Sequence, residues 1–271
     1  MKSVIVLTGS ELRHQFLRKY LGSLENLTVL RTYCEGIENN LTNIVLKQEN
    51  TSSRMNHLDI RDETERDFFQ LFCEKVADKS NSLFIKKGEI NEDAHVNDII
   101  NLNPDIIVSY GCSIIKPPLI EAFKGRFLNL HLGLSPYYRG SGTNFWPFVN
   151  NEPEYVGVTF MHIDAGIDTG EIIHQIRPRI MHGDNIHQIG NRLISDMAKV
   201  CGNLISKFEN IEKMPQPEKP LNEKYYKKKD FSEESVSIMY KNFSNGLVEK
   251  YLNEKPKRDS NVPIVENPSI V

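Results

Sequence analysis

The chain has 271 residues, with 33 basic and 36 acidic side chains and a formal net charge of -3 at pH 7. Hydrophobic residues make up 39% of it and charged residues 25%, a composition typical of a globular protein that can bury a core without disulfides or a metal. The nearly balanced charge argues against broad electrostatic binding to nucleic acid or to an anionic membrane, and no apolar run reaches the ~18 residues of a membrane helix.

The first 150 residues alternate apolar runs typical of buried strands with stretches of helical periodicity. Strands are predicted at residues 3–8, 27–30, 82–85, 106–108 and 127–131. Helices are predicted at residues 11–21, 68–76, 96–102 and 117–123, and the polar stretch 48–64 is predicted to be an irregular surface segment. The alternation predicts an α/β fold, with a Rossmann-like, mostly parallel sheet and helices on both faces.

The pattern changes after residue 150. Two strands, at 156–163 and 171–176, flank a glycine-rich loop, and a long helix is predicted over 185–208. Residues 213–271 hold six of the 13 prolines, together with eleven basic and nine acidic side chains. We predict a core over 1–212 and a short C-terminal appendage over 213–271, with one helix at 236–252. The run at 227–229, three lysines, is predicted to be a solvated surface turn.

The cysteines and the first residues of the chain indicate the cellular compartment of the protein. The four cysteines are widely spaced, with no C-x-x-C pair, and the histidines lack the spacing of a metal site. The first residues carry too short an apolar run for a secretory signal. We therefore expect a cytoplasmic protein without a bound metal.

An Asn-x-His pair stands at the end of a predicted strand. Asn129 and His131 are two residues apart, so their side chains share one face of the sheet. Ligands of open α/β sheets bind at the carboxyl ends of parallel strands. By itself the pair fits either a ligand site or two satisfied polar residues in a turn.

Two later segments extend this motif. Residues 134–144 read LSPYYRGSGTN, and residues 166–170 read GIDTG directly after a strand and short loop. In this order the three motifs resemble the folate-dependent formyltransferase family, which includes glycinamide ribonucleotide transformylases, methionyl-tRNA formyltransferases and sugar-nucleotide N-formyltransferases. The resemblance is strongest over about residues 104–176 and is not recognisable after about residue 212.

The resemblance implies transfer of a formyl group from 10-formyltetrahydrofolate to an amine. It implies that Asn129, His131 and Asp168 are the catalytic residues. Asn129 would donate a hydrogen bond to the oxyanion, and His131 would donate a second one or move a proton. Asp168 would orient His131 and help relay protons from the amine toward the leaving nitrogen. Asp164 is a competing candidate in the same loop, but the family pattern places the catalytic aspartate directly before Thr-Gly, which selects Asp168.

The resemblance also places the folate between two loops with backbone donors and apolar walls. The implied cofactor-binding residues are Ser109, Gly111, Cys112, Ile115, Asp164, Ala165, Gly166 and Ile167. Cys112 is expected to be a pocket residue rather than a nucleophile.

The turn before the first helix could hold a phosphate at the helix N-terminus, or could be an ordinary strand-to-helix turn. This turn contains one glycine and therefore lacks the Gly-x-Gly-x-x-Gly fingerprint of dinucleotide-binding sites, which argues against an NAD-dependent reductase. The candidate substrate-binding residues are Thr8, Gly9, Ser10, Arg13, Tyr137 and Arg139.

The acceptor is inferred from the appendage. A glycinamide ribonucleotide transformylase is expected to end soon after the core, a tRNA enzyme to carry a larger C-terminal domain, and a formyltetrahydrofolate hydrolase to carry an extra N-terminal one. The resemblance therefore favours the amine of a nucleotide-linked amino sugar, used in bacterial surface polysaccharides such as the O-antigen of lipopolysaccharide. A methionyl-tRNA formyltransferase, a glycinamide ribonucleotide transformylase-like enzyme and a non-catalytic folate-binding module stay open. The apolar segment 262–265 fits either a homodimer contact or packing within the chain.

Overall fold

The computed structural model describes residues 1–38, 40–47, 53–221 and 223–270. Its strands are β1 (Lys2–Thr8), β2 (Leu27–Glu35), β3 (Ser82–Ile85), β4 (Ile106–Tyr110), β5 (Phe127–His131), β6 (Tyr138–Gly140), β7 (Val158–His162), β8 (Ile172–Ile176) and β9 (Lys224–Tyr226). Its α-helices are α1 (Leu12–Ser23), α2 (Leu41–Leu46), α3 (Ser53–Glu65), α4 (Leu71–Lys75), α5 (Asp93–Leu102), α6 (Pro117–Ala122), α7 (Trp146–Val149), α8 (Ile186–Lys207), α9 (Glu233–Ser244) and α10 (Leu247–Ser260).

The main sheet has the strand order β3-β2-β1-β4-β5-β7-β8. The strands from β3 to β5 are parallel, whereas β7 runs antiparallel to both β5 and β8. Successive residues of β1 supply opposite faces: Val4 and Val6 pack with α1 and α8, and Ile5 and Leu7 pack with α5 and α6. The mostly parallel sheet with helices on both faces confirms the predicted fold class.

The strand order reverses direction between β1 and β4. After β1 the chain adds β2 and β3 on one side, then returns to place β4 on the other. The carboxyl ends of β1 and β4 lie side by side, with Thr8 opposite Tyr110. Ligands of open α/β sheets bind in the crevice at such a switch point. The fold therefore places a candidate site beyond these two strand ends.

Two predicted elements were wrong. Residues 53–64 of the predicted irregular segment belong to α3, which continues through the π-helical turn Arg66–Gln70 into α4; residues 48–52 lie outside the described part. The buried side chains of α3 are His57, Leu58 and Glu65, so its buried stripe is mostly polar and apolar periodicity missed it. The single helix predicted over 236–252 is two helices, because Gly246 adopts a left-handed conformation between α9 and α10.

The residues after 212 pack into the same core as the sheet. Val236 and Met239 of α9 and Tyr251 of α10 are buried in the cluster that includes α1 and α8. Asn267, 0% exposed, donates from its side chain to Ile173 O and Glu212 O. The division at residue 212 stays a prediction, and in the described part of the chain the appendage packs into the hydrophobic cluster that also holds α1 and α8.

The apolar segment 262–265 contacts β8 of its own chain. Gln175 N donates to Val265 O at 2.7 Å, and Val265 N donates to the Gln175 side chain at 3.0 Å. Packing within the chain therefore accounts for this segment, and the homodimer stays a prediction. Across the described ranges, no helix has the length and apolar character needed to cross a bilayer.

A buried histidine pair joins α3, α8 and α9. The rings of His57 on α3 and His187 on α8 are 4.6 Å apart, and His57 Nδ1 lies 3.2 Å from the hydroxyl of Tyr240 on α9. Burial lowers the pKa of His57 to about 3, with the neighbouring His187 adding to the effect, and burial lowers the pKa of His187 to about 4. Both rings are therefore neutral in the folded protein near neutral pH.

This pair predicts acid sensitivity. The folded-state pKa values lie below the ordinary 6.5, so the unfolded chain takes up protons first as the pH falls. We expect the free energy of unfolding to drop by about 2 kcal/mol for each histidine between pH 7 and pH 5. Urea denaturation at both pH values should show a smaller drop in the free energy of unfolding for His57→Gln than for wild type. Replacing the exposed His182 with Gln should leave this drop as it is in the wild type. Equal drops for His57→Gln and wild type would contradict the assignment.

A short second sheet ties the appendage to the loop after β5. β6 and β9 are parallel, with Gly140 opposite Tyr226. Gly140 has φ of 96°, and a Cβ there would lie 2.2 Å from Tyr226 O. The backbones of β6 and β9 approach this closely because residue 140 has no side chain.

Replacing Gly140 therefore tests this pairing. We expect Gly140→Ala to lower the free energy of unfolding by about 3 kcal/mol, through left-handed strain and the clash with Tyr226. Gly125→Ala is the matched control, since Gly125 also has a positive φ, of 81°, but no atom lies within 4 Å of its Cβ position; it should lose only about 1 kcal/mol. Equal losses in urea denaturation would show that the close approach to β9 does not matter.

Candidate active site

The three residues implied as catalytic come together at one point. Asn129 and His131 lie on β5, and Asp168 lies in the loop between β7 and β8 with φ of 52°. Asp168 Oδ1 is 3.2 Å from Asn129 Nδ2 and 3.2 Å from His131 Nδ1. One carboxylate oxygen thus holds both side chains, as the two-residue spacing on a strand allows.

The charge of Asp168 is stabilised by its neighbours. Burial alone would favour the neutral acid, but the charge and hydrogen bond of His131, the Gly140 amide and the Asn129 amide together hold the pKa of Asp168 below its usual range. Gly140 N donates to Asp168 Oδ2 at 3.1 Å. The side chains of His131 and Asp168 are only 7% and 11% exposed, so the ionised carboxylate sits in a shielded position.

The amide of Asn129 is held at both ends. Because a carboxylate only accepts hydrogen bonds, the amide must turn its Nδ2 toward Asp168 and its Oδ1 toward Ser109, whose Oγ lies 3.1 Å away. One of the two N–H bonds of Nδ2 points to Asp168. The second remains for another acceptor, such as an oxygen that develops negative charge.

His131 faces acceptors on both ring nitrogens. Nδ1 faces Asp168, and Nε2 lies 3.2 Å from the backbone oxygen of Tyr138. Neither partner can donate a hydrogen. The ring is therefore arranged to give a proton or a hydrogen bond rather than to take one.

Two cavities meet at this cluster. The smaller has a volume of about 140 Å³ and the larger about 930 Å³, and Asn129 and Asp168 line both. Seven of the eight implied cofactor residues line the smaller cavity: Ser109, Gly111, Cys112, Ile115, Asp164, Gly166 and Ile167. Ala165 does not line it. Burial, with a contribution from the charge of Glu35, raises the pKa of the Cys112 thiol to about 12, which keeps the thiol protonated.

The substrate candidates divide into two groups. Gly9, Ser10 and Arg13 line the larger cavity. Three others are engaged elsewhere: the buried Thr8 hydroxyl donates to Tyr110 O, the Tyr137 hydroxyl donates to Pro263 O, and Arg139 pairs with Glu223 and donates to Ile167 O.

Arg13 is balanced by carboxylates. It pairs with Glu11 at 3.0 Å and Glu65 at 2.7 Å. Its positive charge is therefore already largely compensated at the floor of the larger cavity.

The larger cavity is also lined by residues that the sequence did not single out as a site. These are the aromatic and basic residues Arg61, Lys87, Tyr225, Tyr226, Lys227 and Lys228. Burial, with the nearby Lys87, lowers the pKa of Lys228, as expected where cations share a partly enclosed space. The lysine run and the preceding tyrosine pair were the available signal. Residues 227–229 are exposed, as the solvated-turn prediction expects, and two of these lysines also line the cavity. Among the described residues, no group of three histidine, cysteine or acidic side chains is placed to hold a metal.

Comparison with known proteins identifies the chain's relatives. A family model described as formyl transferase matches residues 52–202. The methionyl-tRNA formyltransferase of Alkaliphilus oremlandii is 32% identical over 162 residues, which cover 56% of this chain and 51% of the relative. The methionyl-tRNA formyltransferase of Desulforamulus reducens is 36% identical over 128 residues, which cover 46% of this chain and 39% of the relative. The chain thus matches about half or less of the length of these curated relatives.

Solved structures share the fold at lower identity. A sugar N-formyltransferase from a Shewanella species is 18% identical with a TM-score of 0.56, and the match covers 85% of this chain and 78% of that one. The phosphoribosylglycinamide formyltransferase of Streptococcus pneumoniae is 20% identical with a TM-score of 0.52, over 77% and 99%. An N-formyltransferase from Helicobacter canadensis, in complex with folinic acid and dTDP-3-aminofucose, is 19% identical with a TM-score of 0.51, over 84% and 72%. Because the family model spans more than half of the sequence and includes β5 and the loop of Asp168, the chain belongs to the formyl transferase family.

Proposed function

We propose that the protein transfers the formyl group of 10-formyltetrahydrofolate to the amine of a nucleotide-linked amino sugar. The observation that carries the proposal is the junction of the two cavities at Asn129 and Asp168, with His131 bound to the same carboxylate. A reaction between two bound molecules needs a place where both reach the same polar groups.

The smaller cavity fits a folate ring. Its walls combine the backbone of two loops with the apolar side chains of Ile115 and Ile167. His162 is one of the lining residues, and its buried Nδ1 has no hydrogen-bond partner among the described residues. A heterocycle with several edge nitrogens would satisfy such a site, which supports Ser109, Gly111, Cys112, Ile115, Asp164, Gly166 and Ile167 as cofactor-binding residues.

The three clustered residues can promote the transfer. The folate derivative supplies a formyl carbon bonded to nitrogen; the amine forms a new C–N bond with it, the old C–N bond breaks, and one amine proton ends on the leaving nitrogen. Asn129 would donate its free N–H to the formyl oxygen as that oxygen gains charge. His131 would donate a proton to the leaving nitrogen and would regain one from the proton that the amine loses, so no net proton is gained or lost. Asp168 would hold both side chains and stabilise the charge on His131.

The larger cavity fits a charged, extended acceptor. Its volume of about 930 Å³ is within the size range of small-molecule sites, and its lining includes Lys87, Lys227 and Lys228. Clustered cations attract a diphosphate, and Gly9 and Ser10 lie just before α1, whose N-terminal backbone N–H groups favour anions. The exposed ring of Tyr225 could cover a base or a sugar. The Helicobacter canadensis enzyme binds a ligand of this class, a nucleotide-linked amino sugar.

The names of the curated relatives favour a second candidate, a methionyl-tRNA formyltransferase. In the proposal made here, residues 213–271 instead form the appendage that completes a small-molecule acceptor site on the 1–212 core. The cytoplasmic location and the surface-polysaccharide product are part of the same proposal.

An acceptor panel separates the candidates. We expect the purified protein, given 10-formyltetrahydrofolate, to release tetrahydrofolate with at least one nucleotide-linked amino sugar but not with methionyl-tRNA or glycinamide ribonucleotide. His131→Ala should lower that turnover about 100-fold or more while the circular dichroism spectrum is kept. Turnover with methionyl-tRNA alone would select the second candidate, and near-normal activity of His131→Ala would remove the proposed catalytic role.

A matched pair of lysines tests the acceptor site. We expect Lys228→Met to raise the KM for the acceptor about fivefold or more with little change in kcat, because a partly desolvated cation contributes to phosphate binding. Lys229→Met is the control, since Lys229 is exposed, as Lys228 is, but does not line the cavity. Equal KM values in steady-state assays of the two variants would show that Lys228 does not contact the acceptor.

A further inference from the structure

One short loop forms the wall between the two cavities. Residues 111–114, called the donor loop here, follow β4, and each of the four lines both the smaller and the larger cavity. Its backbone is therefore in reach of both ligands. The position of this loop decides the shape of the folate site.

Glu35 accepts a hydrogen bond from the backbone of this loop. It is the last residue of β2 and is only 1% exposed, yet it carries a carboxylate. Its Oε2 accepts from Ser113 N at 2.6 Å and from Lys87 Nζ at 2.8 Å, and its Oε1 accepts from Gly88 N at 2.9 Å. The two oxygens thus serve three donors from two segments.

We propose, resting on the function proposed above, that Glu35 is a positioning residue that sets the donor loop for folate and holds Lys87 at the acceptor cavity. Glu35 contacts neither cavity in the described structure. It acts through the Ser113 amide on one side and through the Lys87 ammonium on the other.

Among the described residues, other side-chain hydrogen bonds reach this segment near its ends. Thr8 Oγ1 donates to Tyr110 O at 2.8 Å just before the loop. At the far end, Asn91 Nδ2 donates to Ile114 O at 2.9 Å and Asn91 Oδ1 accepts from Lys116 N at 2.8 Å. Glu35 supplies the side-chain contact at Ser113, between these two anchors.

A neutral residue of the same shape cannot replace the carboxylate. Glutamine has one accepting oxygen and one donating nitrogen, so it would turn an N–H toward either the Gly88 amide or the Ser113 amide. It would also leave Lys87 without its counter-charge. Losing a charge-assisted hydrogen bond commonly changes an affinity by about tenfold or more.

Two single variants separate the two contacts. Calorimetric titration with folinic acid and, separately, with a nucleoside diphosphate measures the two affinities without turnover. We expect Glu35→Gln to raise the Kd for folinic acid about tenfold or more. Lys87→Met, which keeps the Ser113 contact, should leave the folinic acid Kd within about twofold and raise the nucleoside diphosphate Kd about fivefold or more.

A double variant serves as the control for misfolding. Glu35→Gln combined with Lys87→Met leaves no unpaired buried charge, and it should still bind folinic acid about tenfold or more weakly than Lys87→Met alone. Hydrogen exchange should show a slowly exchanging Ser113 amide in wild type and Lys87→Met, and faster exchange in the double variant. Equal folinic acid affinities with and without Glu35, in proteins with unchanged circular dichroism, overturn this inference alone. A wild type that binds no folinic acid overturns the proposed function and this inference with it.

Discussion

The carboxylate of Asp168 is the point on which the site depends. It accepts from Asn129 and His131 on the central sheet and from the amide of Gly140 on β6. These bonds keep it ionised despite its burial. The same bonds orient the free N–H of Asn129, because an ionised carboxylate allows only one orientation of the amide. One charge thus positions Asn129 and His131, the proposed oxyanion donor and proton donor, together.

This arrangement also connects the site to the appendage. Gly140, which binds Asp168, is paired in register with Tyr226 of β9. The ring of Tyr226 stacks on Trp146, with centroids 4.2 Å apart, and the next two residues line the acceptor cavity. The segment after residue 212 is therefore adjacent to the reacting groups.

The sheet could be predicted from local patterns in the sequence, whereas the grouping of Asn129, His131 and Asp168 was implied by the resemblance to the family. Apolar runs marked the parallel strands, and the Asn-x-His spacing placed Asn129 and His131 on one face. The lysines of the acceptor cavity could not be found this way. Lys87 and Lys228 come together only through β9 and the packing of the appendage, and the run at 227–229 has the composition of any solvated turn. Glu35 was missed for a related reason. A single acid at the end of an apolar strand forms no sequence pattern, so its three backbone and side-chain donors could not be predicted.

The location of β9 has a consequence for the proposed acceptor site. The match to the formyl transferase family ends at residue 202, whereas the wall of the larger cavity formed by residues 225–228 follows it in the chain. The cluster at Asp168 therefore lies inside the part of the chain that the family model matches, and this wall lies outside it. Under the proposed function, substitutions in residues 225–228 can change which amine is accepted without altering the cluster at Asp168.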